Sequence, residues 1–142
     1  MAKLDLIAFE IAGERYAFNI ADVREVVEVL PIMPVPETAK YIMGVVNLRG
    51  EILPAIDTGL RLGFPDSRIG ENSKLIIVET ADNKAALLVE HLPRVIHTDS
   101  ESIETDMTII ESKVPPEYIA GVHEKEFLVI LRPDVIMIGG GK

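Results

Sequence analysis

Acid–base chemistry is the first kind these side chains could perform. Glu25 with Glu28, and Asp99 with Glu101 and Glu104, are carboxylates close in sequence, of the sort a hydrolase pairs for proton transfer. With 23 Asp and Glu among 142 residues such neighbours arise by number alone, and they read as solvated surface. His91, His97 and His123 are the only histidines, and the first two, six positions apart, match neither the i, i+4 pair of a helical metal site nor an H-x-H strand pair. Ser67, Ser73, Ser100, Ser102 and Ser112 include no G-x-S-x-G elbow, and there is no G-x-x-x-x-G-K or G-x-G-x-x-G phosphate loop. The expectation is therefore no catalysis and no cofactor, nucleotide or metal. Recognition chemistry remains. Lys40, Arg49 and Lys125 are cations scattered over three segments, but Arg49 stands apart because Gly50 follows it and Asn47 lies just before it.

Two strands must hold that arginine. Ile42 to Leu48 and Glu51 to Ile56 are near-continuous apolar runs, which predicts strands covered on both faces. An Arg49-Gly50 turn joins them, Gly50 supplying the permissive backbone, so the guanidinium of Arg49 and the amide of Asn47 lie near the tip. There the planar cation either makes bidentate bonds to a partner's carboxylate or carbonyls, which a lysine would not copy, or stays a free surface arginine. The residues alone leave both open. The tip is the candidate contact surface, and a short amphipathic turn of helix follows, ending by Gly63.

At 142 residues the chain has the length of one domain and can bury a core without covalent staples, of which it has none, since cysteine is absent. The N-terminus lacks a secretory h-region and no apolar stretch approaches a spanning helix, so a cytoplasmic location is expected, with the membrane reached only through a partner. A net charge of -9 argues against nucleic acid, whose phosphates need clustered cations. Val and Ile, 14 and 18 residues, outnumber the 13 Leu and favour strands over long helices.

Self-similarity sets the architecture. Leu6 to Val27 aligns without a gap on Leu75 to Ile96 at a constant offset of 69, and Tyr41-Ile42-Met43-Gly44-Val45 is echoed by Tyr118-Ile119-Ala120-Gly121-Val122. Each echo leads through a turn into an apolar strand, Ile52 to Ile56 and Phe127 to Leu131. A duplicated unit of about five strands predicts an all-β fold of two small five-stranded barrels, which leave few open edges. Approximate subdomains are 1–70 and 71–142, with strand exchange near the first strand allowed. Val29 to Lys40, with three prolines, reads as an extended crossing with one helical turn at Glu37 to Lys40; Phe64 to Asn72 reads as the seam between halves. Asp99 to Pro116 has no readable period, although Ile109 and Ile110 have a buried character. Pro133-Asp134 opens a short final helix that Gly139-Gly140-Gly141 ends.

The stretch Gly44-Val45-Val46-Asn47-Leu48-Arg49-Gly50-Glu51-Ile52-Leu53-Pro54-Ala55-Ile56-Asp57 resembles the G-V-x-N-L-R-G-x-I-x-P-x-x-D segment of the CheW-like family, chemotaxis adaptors that couple receptors to a histidine kinase. Phe18 to Val26 is similar to that family's G-I-x-I-x-x-V-x-E-I stretch. The resemblance covers roughly Leu4 to Ile138 and implies two SH3-like barrels packed around a shared core. It also implies a non-enzymatic scaffold that binds the cytoplasmic tip of a chemoreceptor (a methyl-accepting chemotaxis protein) and, separately, the regulatory domain of the histidine kinase CheA. Carried over residue by residue, it marks Val23, Glu25, Val26, Gly44, Val45, Asn47, Leu48, Arg49 and Gly50 as partner-binding positions, with a groove lined by Val23, Val26 and Val45 for a receptor helix. The chain departs from the family at Phe18, where a glycine is common, at Ala85-Ala86, at Arg132, where a strand-ending aspartate is usual, and in a shortened last helix. The alternatives are a same-fold adaptor of a pilus or gliding-motility circuit and, from another class, a carboxylate-dependent hydrolase.

Overall fold

The computed structural model describes residues 2–36, 38–106 and 112–138. Strands β1 (Lys3–Ile11), β2 (Glu14–Asn19), β3 (Val23–Glu28), β4 (Ile42–Leu48) and β5 (Glu51–Asp57) lead into a one-turn helix α1 (Thr58–Arg61). Then come β6 (Lys74–Glu79), β7 (Lys84–Val89), β8 (Arg94–Asp99), the two-residue β9 (Ile103–Glu104), β10 (Ile119–His123), β11 (Leu128–Leu131) and α2 (Pro133–Ile138). The first repeat thus runs five strands and a helix, and the second six strands and a helix, the extra one being the two-residue β9.

The strands form two sheets, ordered β8-β1-β2-β11-β10-β9 and β3-β6-β7-β5-β4. Each closes into a small barrel. In the first, β8 and β9 are one stretch of chain interrupted by a 3₁₀ turn at Ser100–Ser102, pairing β1 at one end and β10 at the other. In the second, the chain leaving β3 runs extended to Met33, whose N–H and carbonyl both bond to Val45 of β4 at 2.8 Å. The proline-rich segment is thus the closing edge, where missing donors are tolerated. The hairpins are exchanged: β1–β2 of the first repeat lie in the sheet that holds β8 to β11, and β6–β7 of the second lie in the sheet that holds β3 to β5. Each exchanged hairpin meets its host barrel through a parallel pair, β2 with β11 and β7 with β5.

The exchange explains why β1 and β6 are apolar without a break. Leu6 and Ala8 point into the first barrel while Ile7, Phe9 and Ile11 face the core between barrels. Leu75 and Ile77 fill the second barrel while Ile76 and Val78 face that same shared core. Because neither half holds a complete sheet, urea unfolding is expected to be a single cooperative transition, and fragments 1–70 and 71–142 made separately are expected to be insoluble or disordered. A soluble isolated half with native-like amide dispersion would contradict the shared core.

Both barrels close against a glycine. β4 and β10 carry register shifts at Ile42/Gly44 and Ile119/Gly121, equivalent positions in the two echoes. A Cβ on Gly44, whose φ is +147°, would stand 2.1 Å from the carbonyl oxygen of Met33, and one on Gly121 would stand 2.6 Å from Cγ2 of Ile103. In each case the closing strand occupies the space a side chain would take.

The shared core absorbs the bulk of Phe18, which is fully buried and stacks on Phe9 at 5.6 Å between ring centres. Tyr16 lies beside them, with its hydroxyl buried and lacking a partner among the described residues. Burial first, and the charge of Glu14 second, push its pKa up to about 12 from an ordinary 10.0. The folded state thus favours the protonated phenol. This contribution is fully present below pH ~10 and is lost as pH rises through ~12, up to about 3 kcal/mol by linkage. Tyr16→Phe is expected to flatten that alkaline loss and to leave stability at neutral pH unchanged or higher, measured as urea midpoints from pH 7 to 12.

α2 bridges the halves. Its Asp134 accepts from Thr80 and Asn83 in the β6–β7 turn, at 2.5 and 3.3 Å. Near its other end, Arg61 of α1 donates Nε to the carbonyl of Ile136 at 2.9 Å, Nη2 to that of Val135 at 2.7 Å and Nη1 to Tyr118 Oη at 2.5 Å. The guanidinium also lies over the rings of Tyr41 and Tyr118, 4.9 and 4.7 Å from their centres. Arg132 occupies the place that Asp57 holds in the first repeat: its N–H bonds to the carbonyl of Tyr118 as that of Asp57 bonds to Tyr41. Asp57 caps α1 through Leu60 N–H at 3.2 Å, whereas Arg132, having no acceptor, sends Nε to the Ile119 carbonyl at 3.0 Å. The readings placed on Glu37, Met107 to Ile110 and Gly139 to Gly141 fall outside the described residues.

Candidate functional site

The Arg49-Gly50 turn forms as the sequence requires. Leu48 pairs with Glu51, leaving two loop residues, both with positive φ, +49° and +91°, in the primed turn that suits the twist of a hairpin. Asn47 Oδ1 fastens it by accepting the Gly50 N–H at 2.7 Å. Glycine is at home in that conformation and arginine is not, at a cost on the order of 1 kcal/mol. The Arg49 side chain is 65% exposed.

Arg49 Nη2 forms an ion pair with Glu25 Oε2. Glu25 sits on β3 just after a bulge, where the register shifts between Val23 and Glu25. The bulge breaks strand alternation, so the adjacent Arg24 and Glu25 reach one surface. Arg24 in turn bonds Glu51 at 2.5 Å and Glu79 at 3.2 Å, and Lys84 bonds Glu51 at 2.5 Å. Three cations and three carboxylates from β3, β5, β6, β7 and the turn alternate over one end of the second barrel. The hydrogen bond from Lys84 is the main cause that holds the Glu51 carboxyl below the usual range, with the charges of Arg24, Lys84 and Arg49 adding to it against partial desolvation. The Lys84 ammonium is held above its ordinary value by the same bond. A depressed carboxylate stabilises the fold above its unfolded pKa, and that contribution disappears as pH falls through the lowered value.

The other positions separate. Val23 and Val26 are half-buried against the core between barrels. Leu48 is buried inside the second barrel, and Gly44 is buried at its closure. Val45 lies on the outer face, opposite Pro54 on one side and Met33 on the other, and Asn47 lies opposite Ile52. Val45 thus does not line a groove with Val23 and Val26. It belongs to an outer apolar strip with Met33 and Ile52, which are 68% and 60% exposed, next to the Arg49 tip. The sequence reading missed Arg24, Glu51, Glu79 and Lys84. A signal was present: Glu10 pairs with Arg15 on β1–β2, and the offset of 69 places Glu79 opposite Lys84 on β6–β7.

Among the described residues no group of His, Asp and Glu could hold a metal ion, and no helix is long and apolar enough to cross a membrane. Residues 5–138 match the CheW-like domain family. Chemotaxis protein CheW of Treponema pallidum is 27% identical over 135 residues, spanning 91% of this chain and 79% of that protein. Chemotaxis protein CheW of Helicobacter pylori is 28% identical over 134 residues, 94% of this chain and 81% of the relative. The crystal structure of the scaffolding protein TtCheW from Thermoanaerobacter tengcongensis superposes with a TM-score of 0.87 at 33% identity, covering 100% of this chain and 97% of that one.

Proposed function

The chain belongs to the CheW-like domain family, and on that premise we propose how it works. It is a non-enzymatic chemotaxis adaptor that links receptors to a histidine kinase. The observation that carries this is the match over residues 5–138, nearly the whole chain. The finer proposal is that it acts in the cytoplasm, where one surface takes the membrane-distal tip of a chemoreceptor coiled coil and another takes the regulatory domain of CheA. The work is positional. An adaptor with two contact surfaces raises the effective concentration of kinase at receptor without making or breaking a bond.

Arg49 is the proposed centre of one surface, with Asn47 and Gly50 shaping the turn, Glu25 orienting the guanidinium, and Val45, Ile52 and Met33 supplying apolar area. Val23, Val26, Gly44 and Leu48 support that surface from behind through packing. An exposed ion pair contributes at most about 1 kcal/mol to folding, so the Arg49–Glu25 pair is worth more as a pre-set geometry than as stability. Arg49→Ala is expected to leave the urea midpoint nearly unchanged and to weaken binding to a purified receptor cytoplasmic fragment or kinase regulatory domain by roughly thirtyfold, about 2 kcal/mol. Arg49→Lys should rescue poorly, because the ammonium lacks the planar fork. Titrations of both variants with each partner decide it: normal binding of Arg49→Ala to both partners removes the turn from the contact surface, and failure of the wild-type chain to bind either one removes the adaptor reading.

A further inference from the structure

Two carboxylates compete for Arg49, and the nearer one along the chain does not hold it. Glu51 follows the turn directly, opposite Leu48 on the same hairpin, with Gly50 alone between it and Arg49. The Arg49 charge is felt there, among the cations that keep the Glu51 carboxyl below its usual range. The guanidinium nevertheless bonds Glu25 of β3, across the end of the barrel.

Glu51 is already saturated. Arg24 Nη2 donates to its Oε1 at 2.5 Å and Lys84 Nζ to its Oε2 at 2.5 Å. Both oxygens are engaged and two positive charges stand against one negative, so a third cation gains little by joining them. Glu79 braces the two cations from behind, 3.2 Å from Arg24 and 3.9 Å from Lys84. Arg24 also stands 4.0 Å from Glu25, at the limit of an ion pair, which leaves that carboxylate to the turn. Arg24, Glu51, Glu79 and Lys84 are all less exposed than the Arg49 side chain.

We infer that Arg24 and Lys84 are positioning residues of the contact surface: by holding both oxygens of Glu51 they deny it to Arg49, so that a partner meets the guanidinium over β3 and not folded back on its own hairpin. This rests on the reading of Arg49 as the centre of a partner surface. With an oxygen of Glu51 set free, the guanidinium turns to the carboxylate one residue beyond Gly50, and its planar fork no longer lies where a partner takes it.

The test measures affinity for a purified receptor cytoplasmic fragment and a kinase regulatory domain, and side-chain NOEs in the free chain. For the partner that Arg49→Ala weakens, Arg24→Gln and Lys84→Gln are each expected to bind roughly fivefold more weakly than the wild type. Adding Glu51→Gln to either should restore affinity to within roughly twofold, because an amide at that position carries no charge to draw the guanidinium back. A cation that acted by touching the partner would stay missed when Glu51 is neutralised. In the free wild-type chain, NOEs from the Arg49 δ-methylene should reach the Glu25 γ-methylene, and in Arg24→Gln they should move to that of Glu51. Should Arg24→Gln lose the native amide spectrum, Lys84→Gln carries the same comparisons. Wild-type affinity in both single variants, a loss that Glu51→Gln does not relieve, or NOEs that remain on Glu25 in both single variants each overturns the assignment. If the wild-type chain binds neither partner, the adaptor reading alone fails, and the NOEs still decide what Arg24 and Lys84 do.

Discussion

Gly44→Ala is expected to unfold far more easily than the parent chain, by about 3–5 kcal/mol, a large part of the stability of a domain this size. Two effects add. The φ of +147° lies where side-chained residues are strained, at a cost of about 1–3 kcal/mol, and the new Cβ stands 2.1 Å from the Met33 oxygen and 2.7 Å from its carbonyl carbon. Those atoms are backbone, so relief comes only by moving the closing segment and losing both Met33–Val45 hydrogen bonds, about 1 kcal/mol each. Two control substitutions separate the causes. Gly50→Ala keeps the positive φ with nothing within 4 Å, and should cost only about 1 kcal/mol. Gly121→Ala, at a φ with no left-handed strain, meets Cγ2 of the β-branched Ile103 at 2.6 Å and the Glu104 carbonyl oxygen at 3.0 Å, and should cost about 2–3 kcal/mol. Urea midpoints for the three variants should therefore fall in the order Gly44, then Gly121, then Gly50 from least to most stable. A Gly44→Ala chain as stable as Gly50→Ala would show that the barrel does not depend on that closure.

The duplication was legible in the sequence because strands that face two cores must be apolar throughout, and such runs align well. The exchange of hairpins was legible only as an allowance near the first strand, not as a pairing. An offset of 69 reports that β1 resembles β6, but whether β1 pairs with β8 or β3 with β6 is decided by contacts between distant segments that leave no local mark. The contact tip shows the same division. An Arg-Gly pair between apolar runs specifies its own turn, since the geometry is local. The charge pairs around it join residues 24, 27 and 55 positions apart along the chain, so a reader of the sequence sees only scattered polar residues. Val45 sits apart from Val23 and Val26 because Val46 and Leu48 turn into the second barrel and leave it outside, where its neighbour Met33 comes from across the barrel seam. Departures from the family read well as locations and poorly as consequences. Phe18 is absorbed by stacking on Phe9, and Arg132 substitutes a donor for a cap, neither of which the residue types dictate.

Arg61 was the residue least visible in advance, because a basic side chain closing a short amphipathic helix reads as solvated. It is buried instead, 9% exposed, against Tyr41 of its own repeat and Tyr118, Val135 and Ile136 of the second. Among the described residues its charge has no carboxylate partner; the carbonyls of Val135 and Ile136 and two tyrosine faces take that role. Removing it leaves a cavity, two carbonyls and the Tyr118 hydroxyl without their donor at once, so Arg61→Ala is expected to cost about 3–5 kcal/mol. Arg61→Lys should recover less than half, since an ammonium does not span three acceptors in a plane. The loss should also be directional. Because Thr80 and Asn83 hold the start of α2 through Asp134 independently of Arg61, the helix should loosen from its last turn first, with amide exchange accelerating at Ile136 and Met137 before the β6–β7 turn. Native exchange rates along α2 in Arg61→Ala, or a urea midpoint within experimental error of the parent, would remove Arg61 from its place as the link between the two repeats.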